Sequence, residues 1–478
     1  MSAGLEAARA ALAGKPAWLV GGAVRDRLLG RLSADLDVVV QGDPAGAARA
    51  VARAAGSAAC FALSEEFGFW RVVARDHSWQ VDVEPLRGET LEQDLALRDF
   101  TVNAIAEPLG GGEAVDPLGG QGDLRAGRLR MAGPGAFRDD PLRVLRLVRV
   151  AVELGLEPDR EALRGARAEA GALGGVSGER VFIELRRIVA SDAARRGLEL
   201  MADLGATATV LPELEALRGI EQNRFHHTDV LGHTLEVLDN TIALDTRNRT
   251  GDVWGPAAPA ISAYAPQLQA LLAEPLADEM TRAEALRWGA LLHDAAKPLT
   301  RDVLPSDGRV TFIGHDRRGA ELARDVLERL RASERLRSHV AVLVRCHLRL
   351  GFLVHESQPL ARRAVFAYLS SCSPVEVDVT LLSIADRLAT RGESSADAIA
   401  RHLEVARQML GDALAWRADG PPAPLLRGDE LTGELRIAPG PAIGRLLEEL
   451  AAATYAGEIT TREQALAAAQ RLIADTTV

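Results

Sequence analysis

The stretch LVGGAVRDRLLGRLSADLDVVV, residues 19–40, decides how this chain begins to fold. It opens with a short apolar strand that ends in two glycines, and a helical turn stopped by Gly30 follows. The last part, ADLDVVV (34–40), is a strand rich in β-branched residues. Further strands and helices alternate up to about residue 130, and helical periodicity dominates from about residue 135. The sequence therefore predicts an α+β head with a mixed β-sheet, followed by all-α domains.

Two aspartates in this stretch are the first candidates for chemistry. Asp35 and Asp37 are two residues apart on a strand, so their carboxylates point to the same face. Two like charges held together favour a cation, and hard oxygen ligands suit Mg²⁺ and a nucleoside triphosphate. Asp82, in the later strand WQVDVEP, could supply a third carboxylate for a two-metal site. Taken alone, an Asp-x-Asp near a strand start is also typical of a solvated turn.

The residues before the aspartates favour the catalytic interpretation. Gly21 and Gly22 permit a close approach of the backbone to phosphates, and Arg25 can add a charge-assisted contact. A glycine pair alone is weak evidence. The order of glycine turn, helix and acidic strand makes LVGGAVRDRLLG…DLDVVV similar to the first motif of the class II tRNA nucleotidyltransferase and bacterial poly(A) polymerase family.

Four further motifs follow in the family's order. LRDFTVNAIA (97–106) resembles its RRDFTINA motif with Leu97 in place of the first arginine, which leaves one ribose or phosphate contact in doubt. DPLGGQGDLRAGRLR, FRDDPLRVLRLVRVAVELGL and ERVFIELRRIVAS resemble the next three, with Asp139 where EDPLR has glutamate. The resemblance implies a polymerase-β-like head, Mg²⁺, the substrates CTP and ATP, and a tRNA 3′ end as partner. It implies a nucleotide-binding set of Gly21, Gly22, Arg25, Arg98, Asp99, Asn103, Asp140, Arg143, Arg146 and Arg149.

Asp140 and Arg143 can also be interpreted physically as the residues that select the base. Three residues apart on a helix, they would share one face. The aspartate can accept a hydrogen bond from the exocyclic amine of C or A, and the arginine can donate to the neighbouring ring acceptor. Arg146 and Arg149 continue the stripe and could contact phosphates. An ordinary amphipathic helix with a wet arginine face is the alternative.

A second group of motifs lies in the helical part of the chain. HHTDVLGH, LLHDAAKP, FIGHDRRG, VRCHLRL and IADRLATRG together resemble the HD phosphohydrolase family. By that resemblance His233, His293, Asp294, His315, His347 and Asp386 would bind one or two divalent metals of unknown identity, and Lys297 could stabilise a phosphate oxygen. A single histidine on a helix is more often a surface or core residue. A His-Asp pair between apolar residues is harder to explain as an ordinary surface or core feature, because a buried carboxylate needs a partner.

Composition sets outer limits on these interpretations. The 478 residues carry a formal net charge of −11, which argues against a generic nucleic-acid coat but permits a local basic surface. The three cysteines form no CxxC pair, and neither a membrane span nor a secretory signal is predicted. We therefore expect a cytoplasmic protein without a membrane partner. The sequence gives no oligomeric state.

The predicted domains are a nucleotidyltransferase head (1–132), a helical neck for base selection (133–205), an HD-type metal domain (206–400) and a helical tail for tRNA contact (401–478). A loop or insertion is expected within 241–280, and a second loop at 418–429. Poly(A) polymerase activity, and an HD phosphohydrolase whose head mainly positions RNA, are the alternatives to tRNA 3′ maturation.

The resemblance also raises the question of which nucleotides are added. Full CCA-adding members have a longer flexible loop before the RRDFT motif, and it is implicated in switching the base pocket from C to A. Here Glu84-Pro85-Leu86-Arg87 is followed by Gly88-Glu89-Thr90 and then directly by LEQDLALRDFT. A short loop has little reach. The hypothesis is therefore addition of CC with poor addition of the final A; the alternative is a branch that drives the switch differently.

Overall fold

The computed structural model describes residues 2–64, 66–222, 226–245, 254–306, 308–392, 395–438 and 440–476. Within these ranges the chain forms two compact units, Met1–Val210 and Leu211–Val478. The division lies close to the predicted boundary between neck and HD domain. The finer division into four domains stays a prediction.

The first unit is built on a six-stranded mixed sheet with the strand order β3-β4-β5-β2-β1-β6. β2 pairs in parallel with β5, and the other neighbours are antiparallel. The strands are β1 (Ala17–Val20), β2 (Asp35–Val40), β3 (Ala59–Ser64), β4 (Phe69–Val73), β5 (Gln80–Pro85) and β6 (Ala106–Pro108); β7 (Arg128–Leu129) and β8 (Glu157–Pro158) form a separate pair.

Eleven α-helices accompany the strands of this unit within its described residues. They are α1 (Ala3–Ala11), α2 (Gly22–Leu28), α3 (Pro44–Ala54), α4 (Leu91–Ala96), α5 (Gly120–Arg125), α6 (Ala136–Asp139), α7 (Arg143–Leu154), α8 (Arg160–Glu169), α9 (Gly178–Ala190), α10 (Ala194–Leu204) and α11 (Ala206–Val210). α1 and α3 pack against the sheet and bury small and apolar side chains such as Leu5, Ala48 and Val51. The predicted α+β head and helical neck are confirmed.

The second unit is almost entirely helical. Its helices are α12 (Pro212–Glu215), α13 (Val230–Leu244), α14 (Ala258–Ile261), α15 (Ala265–Leu272), α16 (Arg282–Leu292), α17 (Lys297–Thr300), α18 (His315–Arg329), α19 (Glu334–Cys346), α20 (Arg349–Leu353), α21 (Arg362–Cys372), α22 (Glu376–Ala389), α23 (Ser395–Asp419), α24 (Gly428–Leu435), α25 (Pro441–Tyr455) and α26 (Arg462–Thr476). The unit also contains two short two-stranded sheets. In one, β9 (Pro275–Ala277) pairs with β10 (Met280–Thr281), and in the other, β11 (Asp302–Val303) pairs with β12 (Val310–Thr311).

Two sequence predictions for this unit need correction. The predicted loop within 241–280 is helical at 241–244 and at 255–272, where Ala257, Ala260 and Ile261 are buried in the core, and it ends in β9 and the start of β10; residues 246–253 lie outside the described part. The predicted boundary after residue 400 falls inside α23, which buries Met409 and Leu410 in the same core. The tail has a hydrophobic cluster of its own that begins at Leu426.

None of the described helices is by itself long and apolar enough to cross a membrane. The consecutive helices α21 and α22, bent by 100°, pass that test together on length and composition alone.

Candidate functional site

The carboxylates of β2 face an open polar pocket of about 380 Å³ in the first unit. Asp35 is exposed and Asp37 is partly buried, and no described residue forms an ion pair with either of them. Burial raises the pKa of Asp37 to about 6, against the attraction of Arg98, and the nearby Glu84 adds to the rise. A carboxylate so placed is stabilised in its charged form by a cation. The pair therefore fits a divalent metal with oxygen ligands.

Asp82 lies where the third carboxylate was predicted, but its oxygens are already engaged. In the parallel register it is the direct neighbour of Asp37. Arg71 on β4 donates from Nε and Nη2 to the two oxygens of Asp82, with both distances at 2.7 Å. A bidentate arginine is a strong competitor for the same oxygens. Metal binding by Asp82 stays a prediction.

Gly21 is the position at which the backbone must come close to the aspartates. It has φ = +71°, a region that favours glycine. A Cβ at this position would lie 3.1 Å from Oδ2 of Asp37 and 3.3 Å from Nη1 of Arg98. Gly22 begins α2 and lines the same pocket. The predicted glycine turn is therefore required by the packing around Asp37.

The same pocket is rich in cations, although the whole chain is acidic. Its lining includes eight arginines: Arg25, Arg87, Arg98, Arg143, Arg146, Arg149, Arg180 and Arg187. Such a concentration of guanidinium groups beside two carboxylates suits a triphosphate together with its metal.

Two acidic residues that the sequence analysis did not single out hold Arg98 in place. Nη2 of Arg98 lies 2.9 Å from Oε1 of Glu84 and 3.2 Å from Oδ2 of Asp94, and Asp94 is fully buried. The acidic helix before the LRDFT motif was the signal that could have identified Asp94.

A chain of hydrogen bonds, which we name the Asp99 network, links α2 to α7. Nη1 of Arg25 donates to Oδ1 of Asn103 at 2.6 Å, and Nδ2 of Asn103 donates to Oδ1 of Asp99 at 3.0 Å. The other oxygen of Asp99 accepts from Nε and Nη2 of Arg146, at 2.9 and 2.6 Å. Burial raises the pKa of Asp99, but Arg146 and Asn103 outweigh it, so that the pKa lies well below its usual range. These four predicted residues are therefore brought together in one hydrogen-bonded network.

Asp140 and Arg143 line the pocket, but not as residues of one helix. Asp140 is extended (φ −147°, ψ 102°) at the end of α6, and α7 begins at Arg143. The shared helix face was a wrong prediction, because Pro141 disfavours helical geometry at the residue before it. Arg180, a residue that the sequence analysis did not select, donates from Nη2 to Oδ2 of Asp140 at 2.8 Å. Arg143 donates to the backbone oxygens of residues 97, 98 and 136.

Arg146 and Arg149 were expected to continue the stripe and contact phosphates, with the wet face of an ordinary amphipathic helix as the alternative. Arg149 is buried, and its guanidinium donates to Glu184 and to Glu153. The guanidinium of Arg146 is hydrogen-bonded to Asp99. Both line the pocket, and their contact with phosphate stays a prediction.

The second unit contains a cluster of buried histidines and aspartates from five helical segments. Two groups within it have the geometry to hold a metal ion: His233, His293 and Asp294, and also Asp294, His315 and His347. Asp386 completes the cluster, with Oδ1 at 3.1 Å from Nε2 of His233. All six ligands predicted from the sequence therefore lie together.

Three of these histidines are oriented in the same way. The Nδ1 atoms of His293, His315 and His347 each lie 2.6–2.8 Å from the backbone oxygen three residues earlier. This bond fixes the ring and leaves Nε2 directed at the cluster, as is usual for metal-bound histidine. The Nε2 atoms of His315 and His347 are 3.3 Å apart.

Unsatisfied polar atoms are the observation that tests whether a metal fits here. Nε2 of His293 is buried without a hydrogen-bond partner, 3.1 Å from Oδ2 of Asp294, which Nζ of Lys297 approaches to 2.7 Å. Buried polar atoms are costly unless they are paired. Burial lowers the pKa of His347 to about 4, whereas burial of His293 is outweighed by the attraction of Asp294, which raises the pKa of His293. The residues present fit a divalent metal of unstated identity.

Lys297 stands beside the cluster, as the sequence predicted. Its Nζ is 2.7 Å from Oδ2 of Asp294 and donates at 2.7 Å to Oε1 of Gln222. Gln222 and His226 were missed, and both line the large cavity of about 1270 Å³ that opens over the metal ligands. The ring of His226 lies 4.8 Å from that of His233. Its position in the doubled histidine of HHTD was the available signal.

Comparison with known families matches three parts of the chain. Residues 17–130 match the poly(A) polymerase head domain, and residues 269–391 match the HD domain. Residues 155–217 match a family described as the probable RNA- and SrmB-binding site of polymerase A.

Two similar proteins cover almost the whole chain. The A-adding tRNA nucleotidyltransferase of Deinococcus radiodurans is 39% identical over 463 residues, which are 96% of this chain and 96% of that protein. The CC-adding tRNA nucleotidyltransferase of Thermus thermophilus is 36% identical over 462 residues, 95% of this chain and 93% of that protein. The solved structure of the Thermotoga maritima CCA-adding enzyme complexed with tRNA-CCA has a TM-score of 0.60 at 19% identity, covers 98% of this chain and 95% of its own, and shares the fold.

Proposed function

The chain belongs to the tRNA nucleotidyltransferase family and is an enzyme of that class, and we propose that its first unit transfers nucleotides from CTP and ATP to the 3′ end of tRNA. The observation that carries the proposal is the pair Asp35 and Asp37, two carboxylates without ion-pair partners among the described residues, facing a pocket lined by arginines. Mg²⁺ held by this pair would supply the positive charge that favours attack by the terminal hydroxyl and departure of pyrophosphate.

The surrounding residues would bind and orient the triphosphate. Arg98, fixed by Glu84 and Asp94, presents its guanidinium beside Asp37, and Arg25 is held by Asn103. Because these side chains are already positioned, little entropy is lost when the nucleotide binds. Asp140 and Arg143 would select the base once Arg180 releases the carboxylate of Asp140. The selection of C and A would then rest on the order of hydrogen-bond donors and acceptors that Asp140 and Arg143 present to the base.

Within this activity, we propose that the enzyme adds CC and adds the final A poorly. The supporting observation is the connection between β5 and α4, which spans only residues 86–90. It is also tied to α4: the backbone NH of Arg87 donates to Oδ1 of Asp94 at 3.0 Å, and that of Glu89 donates to Oε1 of Gln93 at 2.7 Å. A short connection that is hydrogen-bonded to α4 cannot move far enough to change the shape of the base pocket.

Two tRNA transcripts test both levels of the proposal. One lacks the terminal CCA, the other ends in CC, and each is given CTP, ATP or both, with product lengths read on a sequencing gel. We expect CTP alone to add two residues to the first transcript and ATP alone to extend the second slowly. Rapid addition of one A overturns the CC-adding proposal, and long A tracts indicate poly(A) polymerase. No incorporation into either transcript contradicts nucleotidyl transfer.

A second activity, hydrolysis of phosphate esters, is proposed for the second unit. The observation that favours it is the buried His-Asp cluster with Lys297 at the edge of a large open cavity. A metal bound there would lower the pKa of a water ligand, and Lys297 would stabilise the charge on a phosphate oxygen. The test is hydrolysis of bis-p-nitrophenyl phosphate with Mn²⁺, Co²⁺, Ni²⁺ or Mg²⁺, with the His293→Ala, Asp294→Ala double variant as control. Equal rates for wild type and the variant would exclude this cluster as the source.

A further inference from the structure

A second, smaller cavity of about 300 Å³ adjoins the metal-ligand cluster. It shares part of its lining with the larger cavity, including the two predicted ligands His347 and Asp386 and the neighbouring Arg387. Both cavities therefore border the cluster. A substrate no larger than one phosphate ester would need only one of them.

Three arginines that line the two cavities form no ion pair with a carboxylate among the described residues. Arg317 lines the larger cavity, Arg401 the smaller one, and Arg387 both. Nε of Arg387 is buried without a hydrogen-bond partner. Other arginines of the same helices are paired, such as Arg318 with Glu321 and Arg407 with Glu404, both at 2.7 Å. In a chain with net charge −11, unpaired cations gathered at one site point to an anionic ligand.

The rim of the larger cavity also exposes two large apolar side chains. Ile313 is 83% exposed and Phe352 is 67% exposed, and both line this cavity. An exposed aromatic ring next to unpaired arginines is the combination that binds unpaired nucleobases by stacking and their backbone by charge.

We propose that the second unit binds single-stranded RNA across both cavities. One phosphodiester lies at the predicted metal ligands, the adjoining phosphate lies at Arg387 and Arg401, and a base in the larger cavity stacks on Phe352. This inference rests on the phosphate-ester hydrolysis proposed above and names its substrate class. In the reaction, the oxygen of water forms a bond to phosphorus and one P–O ester bond breaks. One proton of that water ends on the leaving oxygen, giving one phosphate monoester and one hydroxyl.

The test compares an unpaired five-nucleotide RNA with bis-p-nitrophenyl phosphate on the full chain loaded with the most active metal. The rate of the His293→Ala, Asp294→Ala variant is subtracted from both. We expect the KM for the RNA to be at least about tenfold lower than that for the small diester, because several contacts add to its binding. In Arg387→Met this KM advantage should shrink about tenfold, whereas in the control Arg407→Met it should stay.

Each other outcome has a definite meaning. If the small diester is hydrolysed and the RNA has no KM advantage, or if Arg387→Met leaves that advantage intact, the RNA proposal is wrong and hydrolysis stands. If neither substrate is hydrolysed with any metal, the proposed hydrolysis fails and the RNA proposal fails with it. A base-paired RNA of equal length cleaved equally well would contradict single-strand binding, because paired bases cannot stack on Phe352.

Discussion

The two candidate sites solve the problem of holding a metal in opposite ways. The exposed Asp35 and the partly buried Asp37 offer carboxylate oxygens on one strand, and the nearby Arg98 and Arg146 are anchored by Glu84, Asp94 and Asp99. The four histidines of the second site are buried, and the rings of His293, His315 and His347 are fixed by backbone oxygens. The open site suits a metal that arrives with a triphosphate. The second site, which we call the closed site because its histidines are buried even though a cavity opens over them, suits a metal that stays between turnovers.

Removal of one carboxylate from the open site tests the comparison most strongly. Asp37→Ala should lower nucleotide incorporation at least about 10³-fold, because a major stabiliser of the transition state is lost. The measurement is the rate of CTP incorporation into tRNA lacking its CCA end. Asp76→Ala is the matched control, since that aspartate lies in the exposed turn between β4 and β5. Near-normal incorporation by Asp37→Ala would show that the metal is held elsewhere.

The closed site should lose its metal without affecting the open one. His293→Ala together with Asp294→Ala should reduce the amount of tightly bound transition metal about tenfold or more, because two of the six predicted ligands are removed. Tight metal is measured by elemental analysis after dialysis, and tRNA extension should change less than about threefold. Equal metal content in both proteins would refute the assignment. Circular dichroism of both proteins checks that the variant is folded.

Base selection gives an intermediate effect. Asp140→Ala should reduce discrimination of CTP against UTP about 10–100-fold, as the loss of a specific hydrogen bond does, with a smaller effect on triphosphate affinity. The measurement is the ratio of kcat/KM for the two nucleotides. Arg180→Met is informative beside it: if Arg180 only holds Asp140 in the empty site, that variant keeps the discrimination. Unchanged discrimination in Asp140→Ala would remove Asp140 from base selection.

The smallest expected effect concerns the helix that carries the closed site. Thr281 caps α16, with its side chain accepting from the backbone NH of Glu284 while the Glu284 side chain accepts from that of Thr281. Thr281→Ala should lower the free energy of unfolding by about 1 kcal/mol. Denaturant unfolding followed by circular dichroism measures it. A change below about 0.3 kcal/mol would mean that the cap contributes little.

The sequence predicted which candidate ligands lie together better than it predicted the residues that position them. Period-two geometry was enough to pair Asp35 with Asp37, because residues on a strand alternate faces. The bidentate contact of Arg71 with Asp82 depends on strand register, which no local pattern states. β3 was missed because its six residues, ACFALS, lie at an edge of the sheet and include no β-branched residue.

The Asp99 network has a consequence for how this chain can change over generations. Arg25, Asn103, Asp99 and Arg146 come from three separate motifs, yet each fills a hydrogen-bonding position that its neighbour leaves open. Replacing one of them leaves a buried charge or amide of its neighbour without a hydrogen bond. The loss of stability therefore depends on which residues already occupy the other three positions. During evolution these four residues should therefore change together or not at all, and an alignment of homologues should show them inherited as one unit.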